Sequence, residues 1–144
     1  MRQVLPKLLT LILLSVSNWS AAQDTGEINT TRAKTNYMLN CQGCHQADGS
    51  GLPGNVPSMR DFAGKFLQVA GGREFLVQVP GSSNSPLDDA QLAELLNWIL
   101  VTMSAGQLGD SFQFFTEEEV TEMRRHVLVD VGQTRANLVA AMEP

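Results

Sequence analysis

The chain has 144 residues, of which 15 are acidic and 10 are Lys or Arg, so its formal net charge is −5. This length fits one small domain. The acidic excess argues against nucleic acid and anionic membranes as partners, because both favour basic patches on a protein.

The N-terminus has the three parts of a secretory signal peptide. Arg2 and Lys7 come first, an apolar run from residue 8 to residue 16 follows, and Ser20-Ala21-Ala22 supplies the small residues that a signal peptidase reads. The run is far shorter than the roughly 20 residues that span a bilayer. We therefore expect residues 1–22 to be cleaved. The mature chain then has no membrane span and a formal charge of −7, from eight basic and 15 acidic side chains. In a Gram-negative bacterium it is periplasmic.

A first helix is predicted to begin at Thr30 or Thr31, since either side chain can serve as an N-cap. Ala33, Tyr37 and Cys41 follow at intervals of four residues, which places them on one helical face. The helix therefore ends with Cys41 directed to the side that its other apolar residues cover.

The sequence Cys41-Gln42-Gly43-Cys44-His45 is a C-x-x-C-H motif, which is typical of c-type haem attachment. Each thiol can add to one vinyl group of a porphyrin, and the imidazole supplies an axial iron ligand. A dithiol redox motif and half of a zinc site are the alternatives. Zinc generally takes four protein ligands, and the chain adds only His126 to these three. A thioredoxin-like motif needs a βαβ context, and strand signals are nearly absent. With both cysteines in the motif, no disulfide is expected.

Residues 46–57 are predicted to form a loop, because they contain glycines and prolines at short intervals. Glycine allows the backbone to approach a flat macrocycle closely. Beyond this loop, Asp61 is a candidate cap for a second helix that ends at Gly71-Gly72. Residues 73–79 are predicted to be helical, because no other strand is available for pairing.

The strongest helix signal runs from Asp88 to about Met103. Asp88 and Gln91 have the spacing of a capping box. An apolar stripe predicts that this helix is the main partner of the first one, and Gly106 is the expected stop. The stripe consists of Leu92, Leu95, Leu96, Ile99, Leu100 and Met103.

The remaining residues, 107–144, are predicted to form a helical C-terminal extension beside a main domain of residues 23–106. Thr116 and Glu119 form a second potential capping box, after which Val120, Met123 and Val127 are expected to share a helical face. A last helix is predicted for residues 133–142. The extension either packs on the domain or docks a partner beside it. The fold class predicted for the whole chain is all-α.

From about residue 31 to residue 103, this order of features resembles the small monohaem cytochromes c. The resemblance implies helices wrapped around one haem c, which Cys41 and Cys44 hold covalently and His45 ligates. In that family, a proline in the loop after the motif offers its carbonyl to the haem histidine. Pro57 matches that position, and such a bond orients the imidazole.

The sequence departs from that family at the second axial ligand. Family members usually carry a methionine just before the closing helix, whereas residues 80–87 contain neither Met nor His. Met59, the first methionine after the motif, is the candidate sixth ligand. Methionine is also a common core filler, and an open, five-coordinate iron is the alternative.

The resemblance implies a protein that transfers single electrons and is not an enzyme. The expected partners are redox proteins, with a periplasmic dehydrogenase as donor and a cytochrome or oxidase as acceptor. A haem sensor or ligand-binding protein with an open iron is the second hypothesis. A small haem enzyme such as a peroxidase is the third, and it is disfavoured because the distal acid–base groups it needs are not evident.

Overall fold

The computed structural model of the protein describes residues 27–143, so the signal peptide predicted for residues 1–22 lies outside the described part. Within residues 27–143 the secondary structure is helical, and one isolated bridge between Leu52 and Val56 is the sole β-type pairing. This confirms the all-α fold class. The helices are α1 (Thr30–Asn40), α2 (Gln42–His45), α3 (Gly72–Gln78), α4 (Pro80–Ser83), α5 (Asp89–Met103), α6 (Glu117–Arg124) and α7 (Val131–Ala140), with 3₁₀ helices at Ala63–Gln68 and Ala105–Gln107.

Helix α1 packs on α5, as predicted from their apolar faces. The ring centroids of Tyr37 and Trp98 are 5.5 Å apart, and both side chains are buried. The predicted cap is wrong, however. Asn29, not Thr30 or Thr31, caps the helix, because the helix begins one residue earlier and the Asn29 side chain accepts a hydrogen bond from the Arg32 amide at 3.0 Å.

Helix α5 is the centre of the fold, since α1 and α6 both pack on it. Its predicted capping box is confirmed: Asp88 and Gln91 exchange side-chain and backbone hydrogen bonds. The helix ends at Ser104 rather than at Gly106, because the buried Ser104 hydroxyl accepts a hydrogen bond from the Gly64 amide at 2.8 Å. Most of the predicted stripe is buried, namely Leu92, Leu95, Leu96, Ile99 and Leu100.

The segment between the loop and α5 differs in part from expectation. Asp61 has a φ of +53° and does not cap a helix, since an N-cap requires extended backbone. The helix that follows it is a 3₁₀ helix, Ala63–Gln68. The helical assignment of residues 73–79 is confirmed by α3. Pro80 does not simply end that helix but begins α4, where its missing N–H group costs nothing.

The C-terminal extension packs on the rest of the described chain. The capping box of Thr116 and Glu119 opens α6 as predicted, and Val120 is fully buried. Val127 does not share that face: α6 ends at Arg124, and Val127 is 86% exposed. The last helix, α7, begins two residues before the predicted start.

Two apolar clusters organise these contacts. The larger one joins α1, α5 and α6, and half-buried Cys41 and Met59 pack against it. The smaller one consists of Phe66, Phe75 and Leu138, so that α7 is held against α3 and the first 3₁₀ helix.

Candidate functional site

A cavity of about 510 Å³ lies beside the C-x-x-C-H motif. Cys41, Cys44 and His45 line it together with Pro57 and Met59, so all five residues predicted for the site face one space. Its volume falls within the range of about 300–1,000 Å³ that is usual for ligand and cofactor sites. The opposite walls are apolar and include the α5 side chains Leu92, Leu95, Leu96, Ile99 and Leu100.

The motif itself forms a single helical turn. Cys41 ends α1 and precedes α2, and its carbonyl accepts hydrogen bonds from the amides of Cys44 and His45 at 3.1 and 2.9 Å. Residues three apart in a helical turn lie on the same side, which explains why both thiols reach the cavity. Neither cysteine is in a disulfide. Burial, and to a lesser degree Cys44, raises the pKa of the Cys41 thiol to about 11.

His45 is half-buried in the cavity wall. Burial lowers the pKa of its imidazole, and the backbone carbonyl of Pro57 opposes this in part by raising it. The Nδ1 atom is buried and has no hydrogen bond of full geometry, although the Pro57 carbonyl still interacts with the ring. A lowered pKa keeps the imidazole neutral near pH 7, which is the form that ligates metals.

The loop that brings Pro57 to His45 is held at two points. The Tyr37 hydroxyl donates a hydrogen bond to the Gln46 carbonyl at 2.5 Å, and the Gly51 amide donates one to the His45 carbonyl at 3.1 Å. Gly51 has a φ of +70°, and a Cβ atom there would lie 2.7 Å from the Pro57 carbonyl oxygen. The close approach of these two backbone segments therefore requires glycine at this position.

Met59 is the one methionine among residues 27–143 that lines the cavity. Its amide donates a hydrogen bond to the Gly49 carbonyl at 2.8 Å, which ties it to the loop after the motif. The sulfur of Met103 lies against Gly49 instead. His126 is outside the cavity, and its side chain is 68% exposed.

The segment that usually carries the family's methionine lines the cavity as well, through residues 79–82 and Ser85. Arg124 of the extension fixes this segment. Its guanidinium donates hydrogen bonds to the carbonyls of Leu87 and Ser85, both at 2.9 Å, and forms an ion pair with Asp89 at 2.6 Å. The sequence gives no local signal for this contact, because the partners lie 35 to 39 positions from Arg124.

Sequence reasoning also missed two cavity residues of the extension, Val131 and Arg135 of α7. Their helix has a weak apolar pattern, so nothing in its spacing indicates a face toward the cavity. Arg73 has a different role: it forms an ion pair with Glu119 at 2.8 Å and lies 3.9 Å from the ring centroid of Phe115. It therefore holds the extension on α3.

The chain is similar to known cytochromes, although no family model matches it. Cytochrome c-552 of Thermus thermophilus is 32% identical over 102 residues, which cover 58% of this chain and 78% of that protein. A second cytochrome c-552, from a named strain of the same species, is also 32% identical over 102 residues, which cover 69% of that protein. Given this similarity, together with a cavity lined by two thiols and an imidazole, the chain belongs to the c-type cytochromes.

Proposed function

We propose that the protein is an exported monohaem cytochrome c that transfers single electrons between a periplasmic dehydrogenase and an electron acceptor. The observation that carries this proposal is that Cys41, Cys44 and His45 line one apolar cavity. The similarity to cytochrome c-552 supports the coarser statement, electron transfer by a cytochrome.

The residues present fit one covalently bound haem c. Cys41 and Cys44 would hold it through thioether bonds, and His45 would be the axial ligand. When bound, the haem iron supplies a one-electron couple between its ferric and ferrous forms. Pro57 would orient His45, since its carbonyl already interacts with that imidazole.

The protein's own contribution is a rigid, dry enclosure. Five apolar side chains of α5 line the cavity, and α5 is fixed by its capping box and by packing on α1 and α6. Apolar walls exclude water, and a site whose walls do not move needs little rearrangement when the charge of its cofactor changes. Both properties suit electron transfer without bond making.

Met59 is the candidate sixth ligand in this proposal, because it is the cavity methionine of the described chain. The alternative is a haem sensor or ligand-binding protein with an open iron. It is motivated by the wall formed by residues 79–85, which contributes neither Met nor His. The two functions differ in what can reach the iron.

The acidic surface bears on the partners. A net charge of −5 for the full chain, made more negative by removal of residues 1–22, favours a redox partner with a positive docking face, because complementary charge speeds association. Within residues 27–143 no helix is both long and apolar enough to cross a bilayer. Export to the periplasm rests on the N-terminal signal sequence.

The deciding experiment is the optical spectrum of purified protein, ferric and ferrous, with and without carbon monoxide. A covalently bound, low-spin haem with a methionine–iron band and slow carbon monoxide uptake is the expected result. A high-spin spectrum with rapid uptake would instead favour the sensor. Absence of covalent haem from protein exported with a haem-attachment system would contradict both functions.

A further inference from the structure

Helix α7 supplies part of the cavity wall through Val131 and Arg135. The helix is anchored by Leu138, which is buried against Phe66 and Phe75. Arg135 is half-buried, and its guanidinium lies 5.4 Å from the ring centroid of Phe62. A residue near the C-terminus therefore reaches the site that the motif begins some 90 positions earlier.

Arg135 differs from the other cavity residues in charge. The titratable side chains that line the cavity, within the described part of the chain, are Cys41, Cys44, His45 and Arg135. Once the first three hold the haem, Arg135 is the charged group that remains. Lys65 also lies near Phe62, at 5.3 Å, but it is exposed and does not line the cavity.

Arg135 also has no carboxylate partner among residues 27–143. The other described arginines do form ion pairs: Arg32 with Glu94, Arg60 with Asp48, Arg73 with Glu119, Arg124 with Asp89 and Arg125 with Glu122. A half-buried guanidinium has lost part of its hydration, and a planar pair of oxygens is the partner that its donors fit best.

We propose that Arg135 binds a propionate carboxylate of the haem, which makes the C-terminal extension part of the cofactor site. The inference rests on the proposed function, because it requires a haem in this cavity. The chemistry of the porphyrin agrees with the location: its propionates occupy the edge opposite the two vinyl-derived carbons. Cys41 packs with the α1–α5 cluster, whereas α7 belongs to the second cluster, which includes Phe66 on the cavity wall.

This ion pair has two consequences. A positive charge beside the propionate lowers the pKa of that carboxylic acid and favours the ferrous form, which carries one positive charge less. It also links α7 to a group that is covalently fixed at the other side of the cavity. The reduction potential is then set in part by a residue of the extension.

The test compares Arg135→Gln with Arg135→Lys and with Arg125→Gln, all as haem-loaded protein. Arg125 is a matched control, because it is an exposed arginine of the same extension that is paired with Glu122. In Arg135→Gln, the propionate that is paired in the wild type should titrate about 1 to 3 pH units higher. The reduction potential, measured where the propionate is ionised in every variant, should fall. Arg135→Lys should keep most of both values, and Arg125→Gln should match the wild type.

A measurement on the wild type alone covers the case in which Arg135→Gln does not fold. Haem carrying ¹³C-labelled propionate carboxyls reports the pKa of each propionate by NMR. One of them should titrate well below an ordinary carboxylic acid. Two ordinary titrations in protein with intact covalent haem, or an Arg135→Gln variant identical to the wild type, would overturn the role of Arg135 and leave the proposed function standing. A wild type without covalent haem would refute both.

Discussion

Asn97 of α5 forms two hydrogen bonds with the backbone of Phe115, at the start of the C-terminal extension. Its Nδ2 atom donates to the Phe115 carbonyl at 3.0 Å, and its Oδ1 atom accepts from the Phe115 amide at 2.7 Å. Both residues are buried. One side chain therefore satisfies both polar groups of a backbone segment that has no helix or strand partner.

Replacing Asn97 by Leu should destabilise the protein strongly, since it leaves the Phe115 amide and carbonyl buried without partners. Each such group costs about 1–3 kcal/mol. Urea unfolding of the haem-loaded protein measures the change. Asn137→Leu is the control, because Asn137 is exposed on α7 and should change the free energy of unfolding by less than about 0.5 kcal/mol. Equal effects of the two substitutions would show that the Asn97–Phe115 contact is unimportant.

Gly51→Ala should displace Pro57 from His45. The new Cβ atom would lie 2.3 Å from the Val56 carbonyl oxygen and 2.7 Å from that of Pro57. Gly54→Ala is the matched control, since Gly54 also has a positive φ, +78°, but has no atom within 4 Å of an added Cβ.

The control should lose about 1–2 kcal/mol from its left-handed backbone alone. Gly51→Ala should lose about 1–3 kcal/mol more from overpacking, together with a shift in the NMR signals of His45. If the two variants were equally stable, the contact between Gly51 and Pro57 would not constrain the loop.

The double substitution Cys41→Ala with Cys44→Ala should abolish covalent haem, because no other cysteine is present. Each single substitution should lower the yield sharply and leave one thioether bond. Haem that stays with the chain on denaturing electrophoresis measures attachment. Thr35→Ala, an exposed position on α1, should leave the yield unchanged. Covalent haem at normal yield in the double variant would rule out the C-x-x-C-H assignment.

Met59→Leu should remove the methionine–iron band and speed carbon monoxide binding, if Met59 is the sixth ligand. Leucine retains most of the apolar volume, so the fold should lose less than about 1.5 kcal/mol. Met103→Leu is the control, because Met103 is half-buried but does not line the cavity. A Met59→Leu spectrum identical to that of the wild type would exclude Met59 and favour an open iron.

The ion pair between Asp89 and Arg124 should make stability depend on pH. Hydrogen bonds from Arg124, and then from Thr121, lower the pKa of Asp89. A carboxyl group with a lowered pKa stabilises the folded state above its unfolded pKa of about 3.9, and this contribution is lost as the pH falls through the folded value.

Asp89→Asn should therefore be less stable than the wild type at pH 7, and the difference should shrink as the pH is lowered below about 4. Urea unfolding midpoints across this pH range measure it. Asp110→Asn, at an exposed position with no ion pair within residues 27–143, should follow the wild type throughout. A difference for Asp89→Asn that did not change with pH would contradict the assignment.

Local signals in the sequence predicted much of the helical structure. The capping boxes at Asp88 and Thr116 were both confirmed, because a capping box is made by residues three positions apart. The stripe of α5 was confirmed for the same reason, since helical periodicity fixes which side chains share a face. The cap predicted at Asp61 was wrong, because backbone near the cavity has a φ of +53° there, which residue type alone does not reveal.

The residues predicted for the site line one cavity, although the roles of Cys41, Cys44, His45, Pro57 and Met59 stay predictions. The sequence alone determined the cofactor chemistry, since two thiols and an imidazole in five residues suit one attachment. Only the tertiary structure decided how the extension takes part: Asn97 binds Phe115, Arg124 fixes the cavity segment before α5, and Arg135 reaches the cavity wall. These contacts join residues 18 or more positions apart, and such contacts depend on how whole helices pack, not on spacing along the chain.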